Sequence, residues 1–414
     1  MPLKSKILVI VTVFPSVTET FILNQITDLI DRGFEVTIFS YVEPKNKVVH
    51  QLYIDYQLDK QTVTHFKNHS SKLKVFLKAF NFFRKHLKRI DFSKLILLLN
   101  PLKIKTSISI LKKYYDLPIL LFKDNFDVVH CHFGFNGKKV ADVYELGICV
   151  YPKAILSFHG SDLTPSKLEM YKKLYQGVFK YFQGFTVNSI YLKDILTQIN
   201  QSVQNVHLIP EGFKKAYLEQ FAKVQKDNSA FQIVFCGRLI NWKGPDRALR
   251  ILKKMIDSGR ENCILHLIGD GEMKEELLAL SKSLQIEKQV VFYGAIPQEK
   301  VFQTMAKSTV FLLPGISELN TERSEAQGLV LQEAQFFKLP VITSDVGGIK
   351  YGIIPNETGF LMEENTENEF VEKLNMLYDK PELIKSMGEK GHEFVMMNFE
   401  SSIIGKKLES LYLI

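Results

Sequence analysis

Two glutamates, Glu325 and Glu333, lie in the segment Ser324-Glu-Ala-Gln-Gly-Leu-Val-Leu-Gln-Glu-Ala334. The pattern predicts Glu325 in a polar loop and a helix that begins at Gly328, so that Glu333 lies on its second turn. The free N–H groups at the start of a helix favour a phosphate, and a glycine lets the backbone approach that phosphate closely. One carboxylate could bind the hydroxyls of a sugar while the other binds a ribose diol. Two ordinary glutamates on a solvated surface are the alternative, because this spacing is common.

A cationic turn is predicted at Gly237-Arg-Leu-Ile-Asn-Trp-Lys-Gly244, directly after an apolar run that reads as a strand. Arg238 offers a bidentate fork and Lys243 a compact charge, and both suit a diphosphate. Gly237 and Gly244 permit the tight turn. Two unrelated surface cations are the alternative interpretation.

Parallel strands are the elements that must position these residues. Short apolar, β-branched runs alternate with helix-length segments along the whole chain, which predicts an α/β protein with two doubly wound sheets. The predicted strands of the first half cover residues 7–13, 35–40, 127–130, 154–158, 185–187 and 206–209. Those of the second half cover residues 231–236, 263–268, 290–293, 310–313 and 341–343. Ligands of such sheets bind beyond the carboxyl ends of the strands, where both charged groups are expected.

A series of short motifs runs through both halves in a fixed order. In the C-terminal half they are Gly237-Arg238, Lys243-Gly244, Gly269-Asp-Gly271, Gly294, Glu325 with Glu333, Leu339-Pro-Val-Ile342, Gly347-Gly348 and Thr358-Gly-Phe360. In the N-terminal half they are Phe14-Pro15, Glu19-Thr-Phe21, His130-Cys-His-Phe-Gly134 and Phe158-His-Gly-Ser-Asp162. Together they resemble the fourth family of glycosyltransferases, in the branch that builds bacterial exopolysaccharide, capsule and lipopolysaccharide. The resemblance covers nearly the whole chain except residues 41–125.

The resemblance implies a GT-B fold, in which two Rossmann-like domains face a cleft and a C-terminal helix closes the structure. It implies that Glu325 contacts the hydroxyls of a donor sugar and that Arg238 and Lys243 bind its diphosphate. His159 is similar to the family histidine whose backbone and ring face the donor sugar. The residues implied to bind the rest of the donor are Glu333 at the ribose, Gly328, Leu329 and Val330 at the β-phosphate, Gly237 at the turn, and Asn188 beside the sugar.

The implied activity is that of a retaining, metal-independent hexosyltransferase. It would move a sugar from a nucleotide-sugar donor, which is a substrate and not a cofactor, to a growing lipid-linked bacterial polysaccharide. The departing diphosphate would be stabilised by positioned cations and helix amides. The chain contains no Asp-x-Asp motif with which other glycosyltransferases hold a divalent cation, so we expect no metal ligands.

The predicted domain organisation follows from these elements. Residues 1–213 form an acceptor-side domain with a basic helical insertion at about 60–123, and residues 214–230 form a polar linker. Residues 231–396 form the donor domain. Residues 397–414 form an amphipathic helix that is expected to pack back towards the N-terminal domain.

Composition restricts the class of protein. Four cysteines lack any Cys-x-x-Cys pair, which argues against a disulfide framework or zinc site and favours thiols in a reducing cytoplasm. The apolar run at 7–13 is followed by no small-residue cleavage site, so it is predicted to be a buried strand and not a secretory signal.

The formal net charge of +8 is a local feature. Residues 60–123 carry 15 Lys or Arg and two acidic residues, a formal charge of +13, whereas the remainder carries −5. Lysines interrupt every apolar run of this segment, so it should not span a bilayer. Cations beside aromatic side chains favour peripheral binding to an anionic inner leaflet, and a solvated helical insertion is the alternative.

Other functions fit the sequence less well. A nicotinamide-dependent dehydrogenase needs Gly-x-Gly-x-x-Gly, but after Gly269-Asp-Gly271 the third position is Lys274. A glycosyltransferase-like binding subunit without turnover, or a GT-B epimerase or phosphorylase, would share the fold. No motif indicates nucleic-acid binding.

Overall fold

A computed structural model of the chain describes residues 5–16, 19–44, 50–65, 72–94, 117–146, 152–224, 229–320 and 322–413. The chain divides into two compact units. The first unit comprises residues 1–188, 192–209 and 407–414, and the second comprises residues 189–191 and 210–406.

The first unit is built on a seven-stranded parallel sheet with the order β3-β2-β1-β4-β5-β6-β7. Its strands are β1 (Lys6–Val13), β2 (Glu35–Val42), β3 (Thr62–Thr64), β4 (Val128–His132), β5 (Lys153–Phe158), β6 (Gly184–Val187) and β7 (Val206–Leu208). β1 pairs with β2 and with β4, so that Ile10 lies between Phe39 and Cys131. The central strands are buried on both faces, as expected of near-continuous apolar runs in a parallel sheet.

The helices of the first unit connect these strands. They are α1 (Thr20–Asp31), α2 (Gln51–Asp55), α3 (Lys72–His86), α4 (Gly134–Tyr144), α5 (Leu168–Leu174), α6 (Gln176–Tyr181) and α7 (Ile190–Ile199). Single 3₁₀ turns lie at Leu87–Arg89, Pro118–Leu121 and Pro165–Lys167. Strand order reverses between β1 and β4, and this is the topological switch point of the sheet.

The second unit repeats the architecture with a six-stranded parallel sheet of order β10-β9-β8-β11-β12-β13. Its strands are β8 (Phe231–Cys236), β9 (Cys263–Ile268), β10 (Val290–Gly294), β11 (Val310–Leu313), β12 (Val341–Ser344) and β13 (Gly359–Met362). β11 pairs with β8 on one side and with β12 on the other. Strand order therefore reverses between β8 and β11, and the predicted doubly wound fold is confirmed in both units.

The helices of the second unit are α8 (Lys215–Ala222), α9 (Pro245–Asp257), α10 (Lys274–Ser283), α11 (Gln298–Lys307), α12 (Leu329–Phe336), α13 (Glu367–Asp379) and α14 (Pro381–Asn398). Single 3₁₀ turns lie at Asn241–Lys243, Glu287–Gln289 and Ile349–Gly352. The segment 214–230, predicted as a polar linker, contains α8. Tyr217 and Leu218 are buried there, and the Tyr217 ring lies 6.1 Å from the Phe302 ring of α11. The linker prediction rests on polar composition and on the absence of strand patterns, and it misses the apolar positions 216–218, 221 and 222 within this short helix.

The last helix is α15 (Ser401–Leu413), whose final residues belong to the first unit. Within that unit Lys153 Nζ donates to the Leu411 carbonyl at 2.9 Å, and Arg32 forms an ion pair with Glu409 at 3.1 Å. The Tyr412 hydroxyl lies 2.6 Å from Nδ1 of His130. The helix ends against the first sheet through these contacts.

The basic insertion is described in part. Its residues 66–71 and 95–116, like Cys149, lie outside the described residues. Within the described ranges, no helix is long and apolar enough to cross a membrane.

Candidate functional site

The charged residues predicted from sequence collect at the carboxyl ends of β8 and β11, the switch point of the second unit. The turn after β8 contains Arg238 and Lys243, and the loop after β11 contains Glu325. Crevices at such switch points are where doubly wound sheets bind their ligands.

Backbone contacts bring these two loops together. Gly244 has φ +78°, and a Cβ atom there would lie 2.0 Å from the carbonyl oxygen of Pro314. Only glycine fits, since both the conformation and the close approach exclude a side chain. The buried guanidinium of Arg247 donates from Nε to the same Pro314 oxygen at 2.9 Å. Arg247, which the sequence analysis missed, therefore fixes the turn after β8 against the end of β11.

The two cations share an aromatic neighbour. Arg238 is exposed, and its Cζ lies 5.7 Å from the centre of the Trp242 ring. Nζ of Lys243 lies 4.8 Å from that ring. An indole face attracts cations within about 6 Å. Trp242, the single tryptophan of the chain, thus holds two positive charges on one side of the site.

Lys243 and Glu325 form an ion pair through Nζ and Oε2. Their side chains are only 14% and 15% exposed. Burial first, and then the charge of Arg238, lowers the pKa of Lys243 to about 7, whereas contact with the Glu325 carboxylate favours the charged ammonium. The structure thus places Lys243, predicted to bind phosphate, in direct contact with Glu325, predicted to bind a sugar.

The glycine pair Gly347-Gly348 holds the Glu325 loop. The N–H of Gly348 donates to the Glu325 carbonyl at 2.7 Å. A Cβ atom at Gly347 would lie 2.3 Å from that carbonyl oxygen, and one at Gly348 would lie 1.7 Å from the carbonyl oxygen of Ala326. This close approach explains the doublet, which the sequence analysis recorded as a motif without a role.

Helix α12 begins where the sequence predicts. Gly328 adopts φ +77° at the N-cap, and Leu329 and Val330 form the first turn with partial exposure. A Cβ atom at Gly328 would lie 3.3 Å from Cγ of Glu325, so the helix start and the carboxylate are neighbours. Leu331 N–H already bonds the Gly328 carbonyl at 2.8 Å.

Glu333 lies on α12 and is buried, with 8% of its surface exposed. Nε2 of Gln298 donates to its Oε1 at 3.2 Å. Burial raises the pKa of Glu333 to about 8, an effect that the Gln298 hydrogen bond reduces. Burial also raises the pKa of the nearby Cys236 thiol to about 12, and the charge of Glu333 adds to that rise. Glu333 is therefore a buried, proton-holding carboxyl near the end of β8.

The predicted site residues of the first unit lie at the ends of β5 and β6. His159 follows β5, and its backbone N–H donates to Oδ1 of Asp162 at 3.1 Å. The fully buried Asp162 also accepts from the N–H of Gly160 at 3.1 Å and from that of Gly134 at 2.6 Å. Asp162 thus joins the loop after β5 to the start of α4, which gives the Phe-His-Gly-Ser-Asp motif a structural reason.

Three histidine rings lie side by side in this unit. His130 and His132 are fully buried on β4, and their ring centres are 4.7 Å apart. Nδ1 of His132 lies 3.0 Å from Nε2 of His159. Asn188, at the end of β6, is 5% exposed.

Comparisons with known proteins agree with this architecture. Residues 217–394 match the family model described as "Glycosyl transferases group 1". The chain is 24% identical over 414 residues to WcaL of Escherichia coli, a glycosyltransferase named for colanic acid biosynthesis, with coverage of 96% of this chain and 97% of that protein. It is 25% identical over 367 residues to the amylovoran biosynthesis glycosyltransferase AmsK of Erwinia amylovora, with 85% of each chain covered.

Among solved structures, that of Anabaena HepE in complex with UDP and glucose matches with a TM-score of 0.69 and 15% identity, covering 99% of this chain and 100% of that one. The two doubly wound sheets with their C-terminal helices are the GT-B fold. The family match and the named relatives support a glycosyltransferase of polysaccharide biosynthesis.

Proposed function

We propose that this chain is a retaining glycosyltransferase of the fourth family, which transfers a sugar from a nucleotide-sugar donor without a metal ion. The observation that carries this proposal is the group formed by Arg238, Lys243, Glu325 and the start of α12 at the switch point of the second unit. Such a group offers cations and helix amides to a diphosphate and a carboxylate to sugar hydroxyls.

Each residue then has a role. Arg238 and Lys243 bind the diphosphate and stabilise the charge that develops as it departs. The amides of Gly328, Leu329 and Val330 bind the β-phosphate, while the backbone of Gly237 lets the diphosphate approach β8. Preorganised donors of this kind cost no reorganisation during the reaction, and loss of one such donor typically slows a reaction by about 10²–10³.

The two glutamates bind different parts of the donor. Glu325 accepts hydrogen bonds from the donor sugar, and Glu333 bonds the ribose. Because burial raises the pKa of Glu333 to about 8, this carboxyl is mainly protonated at neutral pH and can both donate to and accept from a ribose hydroxyl.

His159 and Asn188 of the first unit act on the donor sugar in this proposal, as the resemblance implies. The acceptor hydroxyl attacks from the face that the diphosphate leaves, which retains the anomeric configuration, and a departing phosphate oxygen takes its proton. In such a step the rate is raised mainly by positioning of the two substrates and by stabilisation of the developing charge.

The names of the relatives suggest the substrates. WcaL and AmsK are named for the biosynthesis of extracellular polysaccharides, and HepE was crystallised with UDP and glucose. We therefore propose a hexose donor linked to a nucleoside diphosphate and a growing, lipid-linked polysaccharide as acceptor.

Slow donor hydrolysis tests this proposal without a known acceptor. Purified protein is incubated with UDP-, GDP- and ADP-hexoses, and free sugar and its anomeric form are measured. We expect hydrolysis of one nucleotide class with release of the retained anomer. Absence of turnover and of binding for every donor, or release of the inverted anomer, would contradict the proposal.

Membrane binding is a further part of the proposal, since a lipid-linked acceptor lies at the inner leaflet. Around α3 the side chains of Leu77, Phe80 and Leu87 are 55%, 62% and 52% exposed. Exposed cations adjoin them at Arg84, Lys85 and Lys88. Apolar side chains that insert among lipid headgroups and cations that attract anionic lipid act together at such a surface.

Vesicle sedimentation tests this surface. We expect the protein to sediment with phosphatidylglycerol vesicles at low salt and to be released near 1 M salt, where screening is strong. Phe80→Ser should weaken sedimentation, whereas Met397→Ser, at a 66% exposed methionine of the second unit, should not. Equal recovery in the supernatant with anionic and neutral vesicles would contradict membrane binding and leave the transferase proposal standing.

A further inference from the structure

His132, the second histidine of the His130-Cys-His-Phe-Gly134 motif, has no role in the proposed mechanism. It is the last residue of β4 and is fully buried. Nδ2 of Asn136 donates to its carbonyl at 2.8 Å, so its backbone is fixed at the strand end. A buried imidazole at this position calls for a physical explanation, since histidine is only moderately often found fully inside a protein.

The ring of His132 faces the ring of His159 edge to edge. Nδ1 of His132 and Nε2 of His159 are 3.0 Å apart, and the two ring planes differ by 13° with centroids 5.2 Å apart. The largest centroid separation that a 3.0 Å nitrogen contact allows is reached when both nitrogens lie on the straight line between the two ring centres, and the observed 5.2 Å is close to that limit. The contact therefore has the geometry of a linear N–H···N hydrogen bond, not that of a face-to-face stack.

The neighbours of His132 keep it uncharged. Burial first, and then the charges that His130 and His159 would carry, hold the pKa of His132 well below its usual range. Its Nε2 is buried and has no hydrogen-bond partner within the described part of the chain. A neutral imidazole carries one proton, on either Nδ1 or Nε2.

The position of that proton follows from the unpartnered nitrogen. A proton on Nε2 would leave a buried N–H without an acceptor, and orphaned buried N–H groups are rare in folded proteins. A proton on Nδ1 is used in the bond to His159. His132 is therefore the donor, and Nε2 of His159 is the acceptor.

His130 stabilises this arrangement from the other side. Its Nε2 lies 2.7 Å from the Ser157 hydroxyl, and its Nδ1 lies 2.6 Å from that of Tyr412 and 3.2 Å from Nε2 of Gln25. With both nitrogens engaged, the His130 ring is fixed in place and lies against His132 with a ring separation of 4.7 Å. The fixed His130 ring therefore limits the movement of the His132 ring beside it.

We propose that His132 is a positioning residue that donates Nδ1–H to Nε2 of His159 and so fixes His159 as the Nδ1-protonated tautomer with its ring in the plane of the pair. The inference rests on the proposed function only where it gives His159 a part in donor-sugar chemistry. In that case His159 presents an N–H at Nδ1 to an oxygen of the substrate, because its other nitrogen is the acceptor from His132.

Nitrogen-15 NMR of histidine-labelled protein tests the tautomer directly. Long-range ¹H–¹⁵N correlations distinguish protonated from bare ring nitrogens, and His159→Gln assigns the His159 signals. We expect the wild-type spectrum at neutral pH to show His159 protonated at Nδ1 and bare at Nε2. A wild-type His159 protonated at Nε2 would overturn the proposal without the use of any His132 variant.

Two substitutions separate positioning from packing. His132→Asn places an amide N–H near the former Nδ1, whereas His132→Leu fills the space without a donor. We expect the Asn variant to keep the wild-type tautomer and the Leu variant to show His159 protonated at Nε2 or a mixture of both forms. Identical His159 spectra in a folded Leu variant would contradict the inference.

Donor hydrolysis then connects the tautomer to catalysis. With the donor that the wild type hydrolyses, we expect His132→Leu to lower kcat about tenfold with KM unchanged, and His132→Asn to restore most of the rate. Equal losses of kcat in the two variants would mean that packing, and not the donated proton, matters. A wild type that binds and hydrolyses no donor would overturn the proposed function, while the NMR result would still decide the histidine pair.

Discussion

The two sheets of this protein share a topology but differ in the chemistry at their strand ends. In the first unit, β4 carries the fully buried His130 and His132, and His159 follows β5. Burial lowers the pKa of His130 to about 3 and that of His132 well below its usual range. In the second unit, the corresponding position holds Arg238 and an ion pair between Lys243 and Glu325.

This difference shows that the fold determines where a ligand can bind, whereas the side chains at that place determine which ligand fits. The reversal of strand order places the ends of β1 and β4 together, and equally those of β8 and β11. The residues that follow these strands then select the ligand. Charged groups at the second switch point suit a diphosphate, whereas the His159 imidazole of the first unit offers hydrogen bonds that suit a polar, uncharged group such as a sugar.

The largest expected effect is on turnover when the charged group is truncated. Arg238→Ala and Glu325→Ala should each lower transfer or donor hydrolysis by about 10²–10³, because in the proposed function each residue interacts with the reacting donor. Rates are measured with the donor that the wild type uses, and circular dichroism checks the fold. Arg260→Ala, which removes a surface cation paired with Asp379, serves as the control and should retain wild-type turnover. Near wild-type rates for either site variant would refute the assignment of the site.

A smaller effect is expected on nucleotide affinity when Glu325 loses only its charge. In the proposed function, a diphosphate that binds the wild type competes with the Glu325 carboxylate for Lys243. The amide that Glu325→Gln introduces carries no charge to pair with Lys243. We therefore expect the variant to bind its nucleoside diphosphate (UDP, GDP or ADP) roughly tenfold more tightly than the wild type does, a gain of about 1.4 kcal/mol in binding free energy. Isothermal titration calorimetry measures this change, with Glu322→Gln in the same loop as the control. Unchanged or weaker binding would show that Lys243 and Glu325 do not compete with the diphosphate.

Sequence patterns predicted most strands of both sheets because strands buried in a parallel sheet have nearly continuous apolar sequences. The predicted bounds of β8, β9 and β11 agree with the structure. β3 was not predicted, because Thr62–Thr64 contains a single apolar residue. β13 was not predicted either, since it is four residues long and begins with glycine.

The site was predictable only as a set of separate motifs. The ion pair joins residues 82 positions apart, and no local pattern contains such a contact. Gln298, which bonds Glu333, lies on a different helix from it and belongs to none of the motifs. Burial sets the pKa of Glu333, and burial depends on packing that spacing along a sequence does not reveal.

That buried carboxyl gives a pH dependence that distinguishes the second unit. The pKa of Glu333 is about 8 in the folded state against an ordinary value of 4.5. The folded state therefore holds a proton that the unfolded chain releases, and this contribution to stability is present in full below pH 4.5 and is lost as pH rises towards 8. Between about pH 5 and 7 the free energy of unfolding of the wild type should fall, relative to Glu333→Gln, by up to about 1.4 kcal/mol per pH unit.

Denaturant titrations of both proteins at several pH values measure this slope. The difference in free energy of unfolding between the two proteins excludes the contribution of His130, because both proteins contain it. That contribution has the opposite pH dependence, since burial lowers the pKa of His130. Glu276→Gln, at an exposed glutamate of α10, should keep the wild-type slope. Parallel pH profiles for the wild type and Glu333→Gln would show that Glu333 is ionised in the folded protein.

The smallest expected effect is that of a chelator. In the proposed function, Arg238, Lys243 and the amides at the start of α12 supply positive charge where the diphosphate departs, so we expect donor hydrolysis in excess EDTA to equal that in untreated protein. The assay compares untreated protein, chelated protein and chelated protein given back Mg²⁺ or Mn²⁺, with Glu325→Ala as the inactive reference. If EDTA abolished turnover and either ion restored it, a bound cation would be the charge that the diphosphate needs. The cations and helix amides of the second unit would then not suffice to explain the reaction.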